Sequence, residues 1–168
     1  MLTTLLTSAA ALLVSADTAQ PHGHVLTTEI VIHAPARQVW HVLTQLDQYA
    51  AWNPFIVSAE GQVAHKQRLA ISIHNGGKVY AFKPTVVRAE PLRHLAWLGH
   101  LLVPGLFDGH HEFLLEEVSP GVTKLTQRET FRGLLSGLLL KSMRQNTLVG
   151  FQAMNEALKT RAEQAVIN

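Results

Sequence analysis

Gln127 and Glu129, in the stretch TKLTQRETF, point the wrong way for an ordinary half-solvated strand. Alternate residues of an extended chain share a face. One face of this stretch carries Lys124, Thr126, Arg128 and Thr130. The other carries Thr123, Leu125, Gln127, Glu129 and Phe131, so the face with apolar members must take an amide and a carboxylate inward with it. In the preceding stretch, GHHEFLLEEV, His110, Glu112 and Glu116 form the wet face and His111, Phe113 and Leu115 the inner one. The loop VSPGV joins the two. Pairing Glu117 with Thr123 across it sets His111 opposite Glu129, Phe113 opposite Gln127 and Leu115 opposite Leu125. Opposed side chains have Cβ atoms about 5 Å apart. His111 and Glu129 would then share a hydrogen bond or a proton in an interior where a lone carboxylate is costly. Such a pair can orient a ligand's polar end or act as an acid/base couple. It can equally be an internal ion pair that fixes strand register.

Other residues add to this set. Trp97 shares its strand face with Leu95 and Gly99 and should line an interior space, with Gly99 leaving room beside it. Asn53, before Pro54, could bond a ligand or make a turn. Gly150 interrupts a helical run at a cost of about 1 kcal/mol, which points to close packing or to clearance for a ligand. No metal is expected: His110 and His111 face opposite ways, His22 and His24 fall outside the patterned region, and no helix carries two histidines four apart with an acid. The chain has no cysteine, hence no disulfide, thiolate zinc site or cysteine nucleophile. A glycine-rich phosphate loop, a nucleophile elbow and a Ser-His-Asp order are all missing, so no cofactor is expected.

The elements that must position these residues can be read from periodicity. A chain of 168 residues, 47% hydrophobic and 15% charged, suits one domain with a real core. Its net charge of +2, from 14 basic against 12 acidic residues, contains no basic run, which argues against nucleic acid as a partner. Strand alternation begins at Val25, with Leu26, Thr28, Ile30 and Ile32 on one face. HAPARQVWHVL is helical, and Pro35 suits a first turn. LDQYAAW is a second short helix, stopped ahead of Pro54. The stretches FIVSAEG, QRLAISIHN, KVYAFKPTVVRAE and RHLAWLGHLL then lead to the two strands above, through turns too short for crossover helices. Seven antiparallel strands are expected. From Leu134 the period becomes helical, with Leu140, Met143, Thr147, Phe151, Met154, Leu158 and Ala162 on one stripe. Ahead of the domain at 25–168, residues 1–24 read as a signal peptide and linker. Val14-Ser15-Ala16 after an apolar run fits export with cleavage at 1–16, and a short Ala/Leu helix or a loose extension is the alternative. The run is too short to span a bilayer, so no integral membrane segment is expected.

IVIHAPARQVWHVLTQLDQYAAWNPFI, LAWLG, LFDGHHEFLLEE, TKLTQRETFRGLL and GFQAMNEALKTRAE, together from about Glu29 to Glu163, resemble the START-like, or SRPBCC, superfamily in its polyketide cyclase/dehydrase and lipid-transport branch. The resemblance implies an α+β helix-grip fold, a curved seven-stranded sheet around a long C-terminal helix with two short helices after the first strand. It also implies a deep apolar cavity with those helices near its mouth, Trp40 and Leu43 anchoring the first, and Tyr49 and Trp52 plugging one end. A small hydrophobic or amphipathic ligand, such as a lipid, isoprenoid or polyketide, would meet Trp52, Asn53, Trp97, His111, Phe113, Gln127, Glu129, Met143, Thr147, Phe151 and Met154. The fold does not select a function. A non-catalytic binder is the leading expectation. The alternatives are a cyclase/dehydratase using Glu129 and His111, and a protein-interaction module of the co-chaperone kind, which would need a large exposed apolar patch.

Overall fold

The computed structural model describes residues 13–20 and 23–164. Its order is β1 (Leu13–Gln20), β2 (Gly23–Ile32), α1 (Ala36–Thr44), a 3-10 turn (Leu46–Gln48), α2 (Tyr49–Trp52), β3 (Ile56–Glu60), β4 (Ala70–Asn75), β5 (Lys78–Phe82), β6 (Thr85–Glu90), β7 (His94–His100), β8 (Asp108–Ser119), β9 (Val122–Arg132) and α3 (Ser136–Gln164). All strand pairs are antiparallel, in the orders β1-β2-β9-β8-β7-β6 and β3-β4-β5. The two sheets are continuous through residues 66–69. There the Lys66 N–H donates to Val86 O at 2.8 Å, the Val86 N–H to Gln67 O at 2.8 Å and the Leu69 N–H to Pro84 O at 2.9 Å. A strongly curved sheet holding α3 in its hollow is the helix-grip architecture.

The sheet is more divided than seven strands. KVYAFKPTVVRAE breaks at Lys83-Pro84, because proline has no N–H to continue a ladder and the chain changes partner there, β5 pairing with β4 and β6 with β7. The segment expected as linker, Asp17 to His24, is largely strand instead: it ends β1 and begins β2, with Thr18 opposite Val25 and Gln20 opposite Gly23. A cleavage after Ala16 would fall inside β1. Residues 1–12, which hold most of the expected export segment, lie outside the described residues.

Helix α3 is fixed at its C-terminal half. Asn155 Nδ2 donates to Thr28 Oγ1 at 2.9 Å, Lys159 Nζ to Val31 O at 2.8 Å, and Glu163 accepts from the His33 N–H at 2.7 Å and from Lys159 at 2.6 Å. Its N-terminal half meets the β4–β5 hairpin, where Asn75 Nδ2 donates to Thr147 Oγ1 at 3.0 Å. The helix is therefore anchored to β2 at one end and crosses the open side of the sheet at the other.

Candidate functional site

The strand registers show why the interior is hollow at one end. Across β7, β8, β9 and β2 the inner face runs in rows: Leu95, Phe113, Gln127 and Thr28; then Trp97, His111, Glu129 and Leu26; then Gly99, Gly109 and Phe131. The first two rows are filled with large side chains. In the third, two glycines stand directly opposite each other and leave the sheet bare. A cavity of about 420 Å³ lies over this gap, under the N-terminal half of α3. Phe55, Ile73, Tyr80, Phe82, Trp97, Phe107, Phe131, Leu139 and Met143 give it apolar walls, with Asn75, His100, Glu129, Ser142, Asn146 and Thr147 as polar members. Size and lining fit a small-molecule site, for which roughly 300–1,000 Å³ is usual.

A chain of three polar side chains ends in this cavity. The loop register holds: His111 lies opposite Glu129 and Phe113 opposite Gln127. Gln127 Nε2 donates to His111 Nε2 at 3.1 Å and also touches Met154 Sδ at 3.7 Å, while His111 Nδ1 lies 3.3 Å from Glu129 Oε2. With Nε2 accepting from the amide, the ring proton sits on Nδ1 and is donated to the carboxylate. The imidazole is clamped by aromatic rings. Trp97 stacks on it at 5.2 Å between centroids and Phe151 meets it edge-on at 5.1 Å. Of the three, Glu129 alone reaches the cavity. Its Oε1 lies over Gly109 and accepts no hydrogen bond from the described residues.

The expected site residues thus divide. Trp97, Glu129, Met143 and Thr147 line the cavity. His111 and Gln127 are buried behind Glu129, so His111 can act on a ligand only through that carboxylate. Phe113, Phe151 and Met154 are fully buried packing beneath the cavity rather than its lining. The reason is Gly150: it lets α3 approach so closely that a Cβ there would run into the Phe55 ring, and Phe55 with Phe151, edge-to-face at 5.4 Å, closes the lower end. Gly150 serves packing.

Trp52 and Asn53 do not line the cavity either, and the short helices do not form its mouth. Tyr49 is fully buried, its hydroxyl donating to Leu43 O at 2.7 Å, and Trp52 packs edge-on against it at 5.0 Å. Asn53 Oδ1 accepts the N–H groups of Phe55 at 3.0 Å and Ile56 at 2.8 Å, so it shapes the exit into β3. The mouth lies instead between the β4–β5 hairpin, the β7–β8 loop and α3. Sequence reasoning missed Phe55, Tyr80, Phe107 and His100 as lining. Gly109 and Phe131 were within reach, since they sit two residues from His111 and Glu129 on the same strand faces.

Among the described residues, two further carboxylates, Asp108 and Glu112, contact histidines. At the rim, His100 Nδ1 lies 2.7 Å from Asp108 Oδ1, and that hydrogen bond, aided by the Gly105 N–H, holds the Asp108 carboxyl below its usual range. On the outer face Glu112, expected in water, is only 6% exposed. His94, His110 and Arg128 from the flanking residues cover it, with Arg128 Nε 2.8 Å and His94 Nε2 3.1 Å away. Burial alone would raise the Glu112 carboxyl, but the Arg128 guanidinium and the two histidines outweigh it and hold it low. Burial holds the His110 imidazole below its ordinary value.

An antiparallel sheet gripping a long C-terminal helix, with a largely apolar cavity between them, is the START-like helix-grip fold. The chain belongs to the polyketide cyclase / dehydrase and lipid transport family, whose match runs over residues 23–163. Its fold is similar to that of the Zhui aromatase/cyclase from Streptomyces, at 19% identity and TM-score 0.70 over 86% of this chain and 96% of that one. It is also similar to a START superfamily protein from Mycobacterium smegmatis, at 19% identity and TM-score 0.67 over 85% and 99%. A hypothetical protein from Helicobacter pylori aligns at 17% identity and TM-score 0.71 over 86% and 90%. No curated protein matches the chain in sequence. Family and fold support a ligand-binding or cyclase role in general. Among the described residues no helix is long and apolar enough to cross a membrane.

Proposed function

We propose that the chain is a binding protein for a small apolar or amphipathic molecule whose buried end carries a hydrogen-bond donor, received by Glu129. The observation that carries this reading is the uncommitted Oε1 of Glu129, set over a bare two-glycine patch in a largely apolar cavity. Apolar walls drive entry through buried area, and one fixed acceptor sets orientation. Gln127 and His111 hold that acceptor still.

A second reading is favoured by the rim. His100, held at Nδ1 by Asp108, leaves Nε2 able to exchange a proton with a ligand in the cavity it borders. In a cyclase-type reaction Glu129 would take a proton from an acidic CH2 of a bound polyketone, the enolate carbon would attack a second carbonyl carbon of the same molecule to form the ring bond, and His100 in its protonated form would give its Nε2 proton to the alkoxide left on that carbonyl. Glu129→Gln separates the two. A binder loses roughly tenfold in affinity, about 1.4 kcal/mol, because a charge-assisted hydrogen bond becomes a neutral one. An enzyme using this base loses on the order of 10² to 10⁴ in turnover with little loss of binding.

A further inference from the structure

Two loops beside the cavity mouth hold aliphatic side chains out in water. The β7–β8 loop presents Leu102, 84% exposed, and Val103, 57% exposed; the segment entering α3 presents Leu134, 89% exposed, and Leu138, 72% exposed. They form one surface. The Leu134 N–H donates to Gly105 O at 3.1 Å and the Leu135 N–H to Leu106 O at 3.0 Å. At Gly133, with φ +108, a Cβ would stand 2.6 Å from Leu106 O, so only glycine allows the loops to be stitched this closely. Asp108 fixes the far side by accepting from the Gly105 N–H at 3.0 Å and bonding His100. The leucines are therefore displayed on a braced scaffold.

The exposed charged residues beside them are basic. Arg132 and Lys141 flank the leucines and Lys78 stands across the mouth, all exposed. From Ser136 to Asn155 helix α3 carries Lys141 and Arg144 and no acid. The nearby carboxylates, Asp108 and Glu129, are each already bonded to a histidine. Leu101 from the β7–β8 loop and Leu139 from the first turn of α3 line the cavity itself, so these segments lead from the surface to the mouth.

We propose that this surface docks on an anionic lipid bilayer, with Leu102, Val103, Leu134 and Leu138 entering the acyl boundary, the cations facing lipid phosphates, and the cavity mouth opening against the membrane. An apolar prominence ringed by cations is what an anionic interface attracts and holds. A second copy is a poorer occupant, because two-fold pairing would set this cation-flanked surface against an identical one. The proposal shares only the position of the mouth with the ligand-binding reading. Ligand-free protein should bind vesicles, so failure here leaves Glu129 as anchor untouched, and an unaltered Glu129→Gln leaves the docking standing.

The test is co-flotation with phosphatidylcholine vesicles, with and without phosphatidylglycerol. Wild type should float with the anionic vesicles and much less with the neutral ones, and added salt should weaken the preference. Leu102→Asp with Leu134→Asp, both at exposed positions, should lower the vesicle partition constant by more than about tenfold at an unchanged thermal midpoint. Arg132→Glu with Lys141→Glu should remove the anionic preference. Flotation unaffected by both double variants, or no flotation of wild type, overturns the proposal. So does a wild-type dimer that Leu102→Asp with Leu134→Asp converts to monomer, which would make a second copy the occupant.

Discussion

The Glu129 carboxylate occupies the space in which a side chain on residue 109 would begin, an ideal Cβ on Gly109 standing 2.6 Å from Oε1. The obstructing atom is the end of a flexible side chain, so Gly109→Ala should displace the carboxylate rather than the strand. Stability should then change by about 1 kcal/mol or less, as for an interior strand position losing a glycine. Affinity for an apolar fluorescent ligand with a donor group should fall roughly tenfold, with less effect on a ligand lacking the donor. Denaturation and ligand titration of the one variant check both halves.

Phe151 and Met143 lie on the same stripe of α3, yet truncating them should have opposite consequences. Phe151 is fully buried against Phe55 and His111, so Phe151→Ala should cost about 3 to 5 kcal/mol and leave the cavity walls in place. Met143 borders existing empty space, so Met143→Ala should cost clearly less and should change which ligand size is taken up. Chemical denaturation alongside binding of a graded series of apolar dyes distinguishes them.

Stability should fall on acidification in two steps. The folded His110 imidazole is held below its ordinary value of 6.5, so the unfolded chain binds its proton first and stability declines as pH falls below that value. The folded Glu112 and Asp108 carboxyls are also held low, so their contribution is complete above the ordinary carboxylate values and is lost as pH falls from those values through the lower folded ones. His110→Asn should flatten the first decline, and Glu112→Gln should reduce the second. Thermal midpoints from about pH 8 to about pH 2 record both.

Much of this was legible in the sequence, and the rest was hidden for identifiable reasons. The VSPGV loop fixes the β8–β9 register, and with it the approach of His111 to Glu129, because a one-residue slip would turn every inner residue outward. The α3 stripe was legible as a face, but periodicity does not say where along that face packing gives way to space. That boundary depends on Gly99 facing Gly109 across β7 and β8, and on Gly150 admitting the Phe55 ring. The break at Pro84 carried a signal in the missing N–H, whereas the depth of Glu112 did not. Its alternation marks it as solvent-facing, and only Arg128 and His94 from the neighbouring strands, with His110 two residues back on its own strand, take it out of water. Tyr49 and Trp52 have the residue types of a gate but pack against each other and the core.

The most direct measurement is a native mass spectrum of wild type and Glu129→Gln, both purified without detergent from the protein's own host, followed by solvent extraction of what each carries. The expected result is a small molecule on the wild type, predominantly apolar and bearing a hydroxyl or amine, at clearly lower occupancy on Glu129→Gln. Equal occupancy in the two proteins, or two bare proteins that also fail to take up apolar ligands offered in solution, would contradict an apolar cavity anchored by Glu129.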